Sequence, residues 1–283
     1  MGVVLLTGGA GFVGRHIHRA LSARGHEVRL VLRRGASSHL ARPASAASIV
    51  ETENLFSEDE AWWAETCRGV DAVIHAAWYV KPGLYLDAPE NEQCVAGSLA
   101  LARGARQAGV QHFIGIGTCF EYRLPSDAIG VDAPLEPSTL YAASKVALYR
   151  ALEEWHAKEG GTFSWCRIFY LYGEGEQPTR LAPYIRARLE AGNVARLSAG
   201  TQIRDFMDVA DAGEAIANVV DTQQAGAINI CSGEAVTIRQ FAERIADEYG
   251  RRDLLAFETA AVHPADPSAV VGIPNAIKQR VPV

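Results

Sequence analysis

Residues 4–14 read VLLTGGAGFVG, and this stretch decides the fold. An apolar run meets a cluster of glycines, and a segment with helical spacing follows. A strand, a tight turn and a helix in this order begin a βαβ unit that binds a dinucleotide. Free N–H groups and the helix dipole attract the phosphate charge at such a turn. The predicted cofactor-binding residues here are Gly8, Gly11, Phe12, Val13 and Gly14.

The glycines follow the spacing G-x-x-G-x-x-G rather than G-x-G-x-x-G, so a purely structural turn is the alternative interpretation. In the functional interpretation, Gly8 permits the turn and Gly11 lets the backbone approach a pyrophosphate. Gly14 then lets the helix lie close to the strand.

Composition excludes several classes of protein. The chain has 283 residues, of which 48% are hydrophobic and 21% charged, as in an ordinary globular protein. A net charge of −6 and the lack of a basic run argue against a nucleic-acid partner. No stretch approaches the roughly 20 apolar residues of a membrane span, and the first strand leaves no room for a signal peptide. We therefore expect a cytoplasmic protein with reduced thiols, no membrane partner and no metal site.

Strand and helix signals alternate over the first 120 residues, which predicts a doubly wound parallel sheet of the Rossmann type. We place this dinucleotide-binding domain at 1–168. A smaller α/β substrate-binding lobe, partly interleaved with the sheet, is expected at 169–283. The predicted strands are 3–6, 27–32, 48–50, 71–77, 112–117 and 164–171. The predicted helices are 14–23, 58–67, 90–107, 141–158 and 181–191, with loops at 35–48 (including a short helix) and 127–137.

The end of the second strand addresses the choice of cofactor. An acidic residue at this place would hold the ribose 2′-hydroxyl of NAD. Leu32, Arg33 and Arg34 stand there instead, and two cations favour a 2′-phosphate. The sequence therefore predicts NADP(H), bound in part by Arg33 and Arg34. A solvated basic turn, with NAD(H) as the cofactor, is the alternative.

Tyr141 and Lys145 form the pattern Y-x-x-x-K on a predicted helix. Side chains four apart share a helix face. A nearby ammonium group lowers the pKa of a phenol from about 10. We therefore predict that the pair exchanges a proton with a carbinol or ketone near neutral pH. A surface pair without chemistry is the alternative interpretation.

Several further motifs stand in one order along the chain: TGGAGFVG (7–14), DAVIHAA (71–77), GTCFEY (117–122), YAASK (141–145), RIFYLYGEGEQP (167–178), RDFMDVADAGEAI (204–216) and INICSG (228–233). In these motifs the chain resembles the extended short-chain dehydrogenase/reductase superfamily, in its branch of nucleotide-sugar epimerases, dehydratases and reductases. Within that branch it looks most like the 4-ketoreductases.

The resemblance implies roles for individual residues. Tyr141 would be the general acid/base, and Lys145 its partner, which also holds the nicotinamide ribose. Thr118 would hydrogen-bond the reacting sugar oxygen. The resemblance further implies cofactor contacts at Asn54, Leu55, Ala76 and Ala77, and at Tyr141 and Lys145 themselves. Substrate contacts are implied at Lys81, Thr118, Tyr170, Arg180, Leu181 and Arg204.

Departures from the family pattern narrow the reaction. The 4,6-dehydratases carry Asp-Glu directly after the threonine, where this chain has Cys119 and Phe120. Neither side chain serves an elimination of water, and Glu121 lies one place further along. Cys94 replaces an Asn whose role is structural or in proton relay. Tyr170 replaces an Asn that would touch the substrate diphosphate.

The leading hypothesis is the NADP(H)-dependent reduction of a 4-keto nucleotide sugar. A nucleotide-sugar 4-epimerase with tightly bound NAD uses the same three residues and is the first alternative. A non-catalytic NADP-binding regulator is the second. In the resembled family, the helices at 90–107 and 141–158 pair as a four-helix bundle. Here they carry more apolar side chains than one sheet face needs: Val95, Leu99, Leu101, Val146, Leu148, Leu152 and Trp155. We therefore expect a homodimer, unless these residues pack on their own sheet.

Overall fold

The computed structural model describes residues 1–35, 48–258 and 266–275. Its helices are α1 (Phe12–Ala23), α2 (Glu60–Thr66), α3 (Glu90–Gln107), α4 (Leu140–Glu159), α5 (Leu181–Glu190), α6 (Val209–Thr222) and α7 (Ile238–Glu248). Its strands are β1 (Val3–Thr7), β2 (Glu27–Arg33), β3 (Ser48–Thr52), β4 (Ala72–His75), β5 (His112–Thr118), β6 (Ser126–Ile129), β7 (Thr162–Ile168), β8 (Tyr170–Tyr172), β9 (Ala195–Leu197), β10 (Ile203–Arg204), β11 (Phe206–Asp208), β12 (Gly226–Ile230), β13 (Val236–Thr237), β14 (Leu255–Phe257) and β15 (Ala269–Gly272). Most of the predicted loop at 35–48 lies outside the described residues.

The main sheet has seven strands in the order β12-β7-β5-β4-β1-β2-β3. All six pairings are parallel. The chain runs outward from β1 through β2 to β3 and then returns to β4 on the other side of β1. Ligands bind at such a reversal of strand order, outside the carboxyl ends of the strands. The predicted doubly wound fold is confirmed.

Helices cover both faces of this sheet. On one face α1 and α6 bury Ile17 and Ile216 against the strands. On the other face α2, α3 and α4 bury Trp63, Leu101 and Leu148. Each such side chain contributes about 1.5–3 kcal/mol when fully buried. The two apolar layers therefore hold the strand ends in a fixed relation to one another.

The candidate dimer face is smaller than the sequence indicated. Leu101, Leu148 and Leu152 are fully buried in the core beneath α3 and α4, because these helices lie flat on the sheet. Val146 is also buried. Of the predicted face, Val95, Leu99 and Trp155 stay half-buried at the edge of this core.

The second half of the chain contributes to both parts of the molecule. Helix α6 and strand β12 return to the main sheet, whereas β13, β10, β15 and β6 form a separate four-stranded sheet. Helices α5 and α7 pack together over their own apolar cluster. The domain boundary at 168 remains a prediction. No helix in the described ranges is long and apolar enough to cross a membrane.

Two predicted segments differ from the structure. The predicted strand 164–171 is divided, because β7 ends at Ile168 and β8 pairs with β11 outside the main sheet. Phe169, at the division, is buried against Cys119 and Cys231, so the apolar pattern continues through the change of sheet. The predicted loop 127–137 overlaps β6, which pairs with the distant β15.

Candidate active site

The glycine turn leaves the first N–H groups of α1 free to bind a ligand. Gly8 adopts φ +74°, and Gly11 donates its N–H to the Gly8 carbonyl at 2.9 Å. Among the described residues, no side chain caps the helix at Gly11. A Cβ at Gly14 would overlap the Gly8 carbonyl oxygen, so only glycine lets the helix lie this close to the turn. Such a set of backbone donors fits a pyrophosphate.

A buried hydrogen-bond chain fixes the end of β4 beside this turn. His75 lies 2.8 Å through Nδ1 from Thr7 Oγ1 and 2.7 Å through Nε2 from Ser98 Oγ. Ser98 donates its hydroxyl to the Cys94 carbonyl, so it accepts from His75 Nε2–H. Nδ1 then accepts from Thr7, whose Oγ1 also accepts the Ala77 N–H at 3.3 Å. Burial, helped by Lys145, lowers the pKa of His75 to about 3, which keeps the imidazole neutral.

The Thr7–His75–Ser98 chain was not predicted from the sequence. It ties the backbone of the predicted cofactor contact Ala77 to β1 and α3. Ala76 lies beside it and donates its N–H to the Thr7 carbonyl at 3.3 Å. Both alanines therefore stand at the carboxyl ends of the strands, next to the glycine turn.

Tyr141 is the second residue of α4 and is buried. Its backbone N–H donates to the Leu86 carbonyl at 2.8 Å. Its ring packs edge to face on that of Tyr85, with the two ring centres 5.0 Å apart. Burial raises the pKa of Tyr141 above its ordinary value, and the Thr118 side chain acts in the opposite direction. The expected lowering of this pKa is contradicted, because burial raises the pKa of the phenol instead. The phenol is therefore protonated and ready to donate.

Lys145 is held one helical turn further on. Its Nζ donates to the Ile116 carbonyl at 2.7 Å and lies 3.7 Å from the centre of the Trp78 ring. Burial lowers the pKa of Lys145 to about 7, while Glu121 and, to a lesser degree, Cys94 act to raise it. Trp78 was not predicted as a site residue. Its indole N–H donates to Asn91, and Asn91 is a buried residue that the sequence did not single out.

Thr118 stands at the carboxyl end of β5 and caps a short 3₁₀ turn, Cys119–Glu121. Its Oγ1 accepts the Phe120 N–H at 3.3 Å. Thr118, Tyr141 and Lys145 are thus brought to one buried place. Burial raises the pKa of the Cys119 thiol to about 12, so it stays protonated. Glu121 is the last residue of this turn.

The predicted diphosphate contact Arg204 is buried and already paired. Its Nη2 donates to Asp266 Oδ1 at 2.6 Å, and its guanidinium lies 5.2 Å from the Tyr170 ring. Gln202 donates to the other oxygen of Asp266 at 3.0 Å. A cavity of about 440 Å³ opens beside this pair. Its lining includes Leu181, Tyr184, Arg196, Gln202 and Asp266.

Two further predicted substrate contacts are exposed. Arg180 precedes α5 and lies 3.7 Å from Glu176. Lys81 lies in the turn before α3, where its carbonyl accepts the N–H groups of Leu84 and Tyr85. Their roles remain predictions.

The two arginines at the end of β2 differ in their surroundings. Both are exposed, and Arg34 forms an ion pair of 3.1 Å with Glu53. With side-chain exposures of 68% and 74%, this pair contributes little to stability. Asn54 uses its side chain locally, because Oδ1 accepts the Phe56 N–H and caps the turn that begins at Leu55. An adenine contact at Asn54 and Leu55 remains a prediction. No group of His, Cys, Asp and Glu in the described part of the chain could hold a metal ion.

Comparison with known proteins identifies relatives along nearly the whole chain. Residues 4–231 match the NAD dependent epimerase/dehydratase family. The chain is 21% identical over 271 residues to dTDP-6-deoxy-L-talose 4-dehydrogenase (NAD(+)) of Aggregatibacter actinomycetemcomitans, covering 95% of this chain and 98% of that protein. It is 24% identical over 300 residues to UDP-glucose 4-epimerase of Corynebacterium glutamicum, covering 98% and 89%.

A solved structure shows the same relation. The dTDP-glucose 4,6-dehydratase of Streptomyces venezuelae, with NAD bound, superposes with a TM-score of 0.80 at 25% identity, covering 96% of this chain and 88% of that one. Dehydrogenase, epimerase and dehydratase are thus all represented among the similar proteins. The chain belongs to the NAD dependent epimerase/dehydratase family.

Proposed function

We propose that the protein reduces a 4-keto nucleotide sugar to the 4-hydroxy sugar with NADP(H). The observation that carries the proposal is the meeting of Thr118, Tyr141 and Lys145 at the carboxyl end of β5. The glycine turn and the end of β4 lie on the same side of the sheet. The ketone of a substrate bound between the glycine turn and this trio would lie within reach of the Tyr141 phenol, which is protonated at neutral pH.

When bound, the nicotinamide supplies the hydride for the carbonyl carbon. Tyr141 donates its proton to the oxygen as charge develops there, and Thr118 orients the same oxygen with its hydroxyl. Lys145 holds a positive charge near the phenol, which favours the phenolate that remains after the transfer. Its anchoring to the Ile116 carbonyl keeps the ammonium in place for this purpose.

The residues next to Thr118 disfavour a dehydration. Cys119 is a buried neutral thiol, and Phe120 offers no ionisable group. An elimination of water needs an acid and a base near the carbon atoms that lose it. Reduction needs one proton donor, which Tyr141 provides.

The choice of NADP(H) rests on the end of β2. Leu32 is buried and has no polar side-chain atom, so it offers no acceptor to a ribose 2′-hydroxyl. Arg33 is exposed and available to a 2′-phosphate, whereas Arg34 already faces Glu53. We therefore assign the larger share of phosphate binding to Arg33. The names of the relatives above point to NAD, so the cofactor is the part of the proposal that most needs a direct test.

A 4-epimerase with tightly bound NAD is the second candidate. The relative named UDP-glucose 4-epimerase aligns over 98% of the chain and favours it. It needs the same Thr118, Tyr141 and Lys145, so the residues at the reacting oxygen do not separate the two reactions. A non-catalytic NADP-binding regulator would have no use for this buried trio.

Consumption of NADPH with 4-keto nucleotide sugars separates the candidates. We expect one NADPH oxidised for each 4-hydroxy sugar formed. An epimerase would interconvert the 4-hydroxy sugars without net consumption, and a regulator would bind NADPH without turnover. Mass spectrometry of ligands that copurify with the protein identifies the nucleotide and the sugar to use.

We also propose a homodimer through α3 and α4. Val95, Leu99 and Trp155 remain half-buried there, and a cavity of about 270 Å³ lies between the two helices. A second copy of this face would complete the burial of these side chains. Light scattering at micromolar concentration should give twice the mass of the chain, and the mass of one chain would contradict the proposal.

A further inference from the structure

Glu121 carries a buried carboxylate in the 3₁₀ turn that Thr118 caps. Its side chain has an exposure of 0%, and both of its oxygens accept hydrogen bonds. Oε1 accepts the Thr118 N–H at 2.9 Å, and the indole N–H of Trp165 lies 3.0 Å from each oxygen. Arg167 donates Nε–H to Oε2 at 2.6 Å. A protonated carboxyl group would need an acceptor for its own hydrogen, whereas these partners are all donors, so the ionised form fits.

The neighbouring strands are built to admit this group. Arg167 of β7 pairs in register with Gly117 of β5. A Cβ at Gly117 would overlap both the Glu121 carboxylate and the Trp165 indole, so glycine makes their approach possible. On its far side Arg167 donates to the Tyr122 hydroxyl at 3.1 Å, and Tyr122 donates to Asn229 at 2.7 Å. Burial raises the pKa of Glu121, while Arg167 and the N–H donors act in the opposite direction.

Trp165 connects this carboxylate to Lys145. Its N–H donates to Glu121, and its ring centre lies 5.9 Å from Lys145 Nζ. An indole that donates to an anion has a more negative ring face, which strengthens its attraction for a cation. Lys145 thus lies over the rings of both Trp78 and Trp165, and the N–H edge of the second ring faces the Glu121 carboxylate.

The other titratable groups near Lys145 carry no negative charge at neutral pH. They come from three elements: His75 from β4, Cys94 from α3 and Tyr141 from α4 itself. Burial keeps the imidazole neutral and raises the pKa values of the thiol and the phenol. Among the described groups that act on Lys145, Glu121 is the one that holds an anion.

We propose that Glu121 is a positioning residue with two tasks: it fixes the backbone of Thr118, and it supplies the negative charge that favours the protonated form of Lys145. Arg167 and Trp165 hold the carboxylate for both. The second task bears on catalysis only if the proposed function holds, whereas the charge on Lys145 is a property of the protein alone. The two are therefore tested by separate measurements.

The first measurement follows Lys145 directly, without substrate. The chain is labelled with ¹³C at the lysine ε carbon, and the Lys145 resonance is assigned by its loss in Lys145→Arg. In Glu121→Gln the titration midpoint of Lys145 should fall by at least about one pH unit, because an opposite charge is lost. The matched control is Tyr122→Phe, which removes a hydroxyl from the same buried cluster but leaves the carboxylate, and its Lys145 midpoint should equal that of the unmodified protein.

A double variant guards against misfolding. Glu121→Gln leaves Arg167 buried without its partner, whereas Glu121→Gln with Arg167→Gln removes both charges. Lys145 should again titrate at lower pH in the double variant. A midpoint unchanged in both variants, or a fall of the same size in Tyr122→Phe, would overturn the proposal.

The second measurement tests the catalytic consequence. In Glu121→Gln the alkaline limb of the kcat profile should move to lower pH by the same amount as the Lys145 midpoint, with KM little changed. A shifted midpoint with an unmoved kcat profile would overturn the catalytic part of the proposal. If the unmodified protein reduces no 4-keto sugar, the proposed function fails, while the titration result still decides the assignment of Glu121.

Discussion

The glycine turn and the catalytic pocket lie on the same edge of one sheet, but the turn binds through backbone groups and the pocket acts through side chains. The turn between β1 and α1 presents backbone N–H groups, held by glycines and a hydrogen bond between Gly11 and Gly8. The pocket at the end of β5 presents ionisable side chains, Tyr141 and Lys145, whose burial shifts their pKa values. A site made of backbone depends on local geometry, whereas a site made of buried charges depends on everything packed around it.

This difference decides how each half should respond to change. A substitution in the turn should alter binding and leave the chemistry of the pocket intact. A substitution of the proton donor Tyr141 should alter turnover and leave dinucleotide binding nearly intact, whereas a substitution of Lys145 should alter both, because that side chain is also expected to hold the nicotinamide ribose. Each prediction below tests one side of this division.

Tyr141→Phe should have the largest effect. Removing the proton donor should lower kcat by about 10² to 10⁴, the usual contribution of a general acid. The dissociation constant for NADPH should change little, because the phenol acts on the substrate oxygen. Tyr149→Phe on the same helix is the control, since that hydroxyl faces Glu153 at the surface. Activity of Tyr141→Phe within tenfold of the unmodified protein would remove Tyr141 from its role.

Gly14→Ala should weaken dinucleotide binding by about 10- to 100-fold. The added methyl group overlaps the Gly8 carbonyl oxygen, and overpacking of this kind costs roughly 1–3 kcal/mol. Gly130→Ala is the matched control, because among the described residues no heavy atom other than those of its chain neighbours lies within 4 Å of the added Cβ, and its φ is ordinary. Fluorescence titration with NADPH measures both. Equal binding by the two variants would show that the turn does not hold the cofactor.

Arg33→Asp should reverse the cofactor preference. One charge-assisted hydrogen bond to a 2′-phosphate contributes about 1.5–3 kcal/mol, so even a partly screened contact should favour NADPH by about tenfold. The dissociation constants for NADPH and NADH are compared at one ionic strength. Arg34→Ala should change the preference less, because Arg34 faces Glu53. Equal or tighter binding of NADH by the unmodified protein would favour the epimerase.

The smallest effect concerns stability against pH. The pKa of Lys145 is about 7 in the folded protein and about 10.5 when unfolded, so the unfolded chain binds more protons between these values. Stability therefore rises with pH across this window, by up to about 1.4 kcal/mol per unit. Lys145→Met should lose this rise. The free energy of unfolding in urea is measured at pH 7 and pH 9 for both proteins. An equal rise in this free energy for the two proteins would contradict the lowered pKa of Lys145.

The same division explains what the sequence could predict. Six of the seven strands of the main sheet and the glycine turn follow from short-range patterns, because strand, turn and helix are specified by neighbouring residues. The seventh strand, β12, was not predicted. The pairing of Tyr141 with Thr118 followed from motif order. The direction of the pKa shift of Tyr141 did not, because it depends on how deeply the phenol is buried.

Long-range partners were the main omission. Trp78 and Asn91 meet across the start of α3, and Glu121 meets Arg167 across two strands. Periodicity reports which face of an element is apolar, but it carries no information about which polar groups face each other inside the protein. Glu121 in particular stood in a recognised motif and was set aside, since only the fold places Arg167 opposite it.

The most direct test of the account follows the hydrogen atom that the sugar receives. The protein is supplied with a 4-keto nucleotide sugar and NADPH carrying deuterium at C4 of the nicotinamide, in separate reactions with the label on either face. One of the two labelled cofactors should give a 4-hydroxy sugar that is one mass unit heavier, and Tyr141→Phe should give almost none of it. An interconversion of 4-hydroxy sugars that takes up no label and leaves NADPH unspent would contradict the account and identify an epimerase.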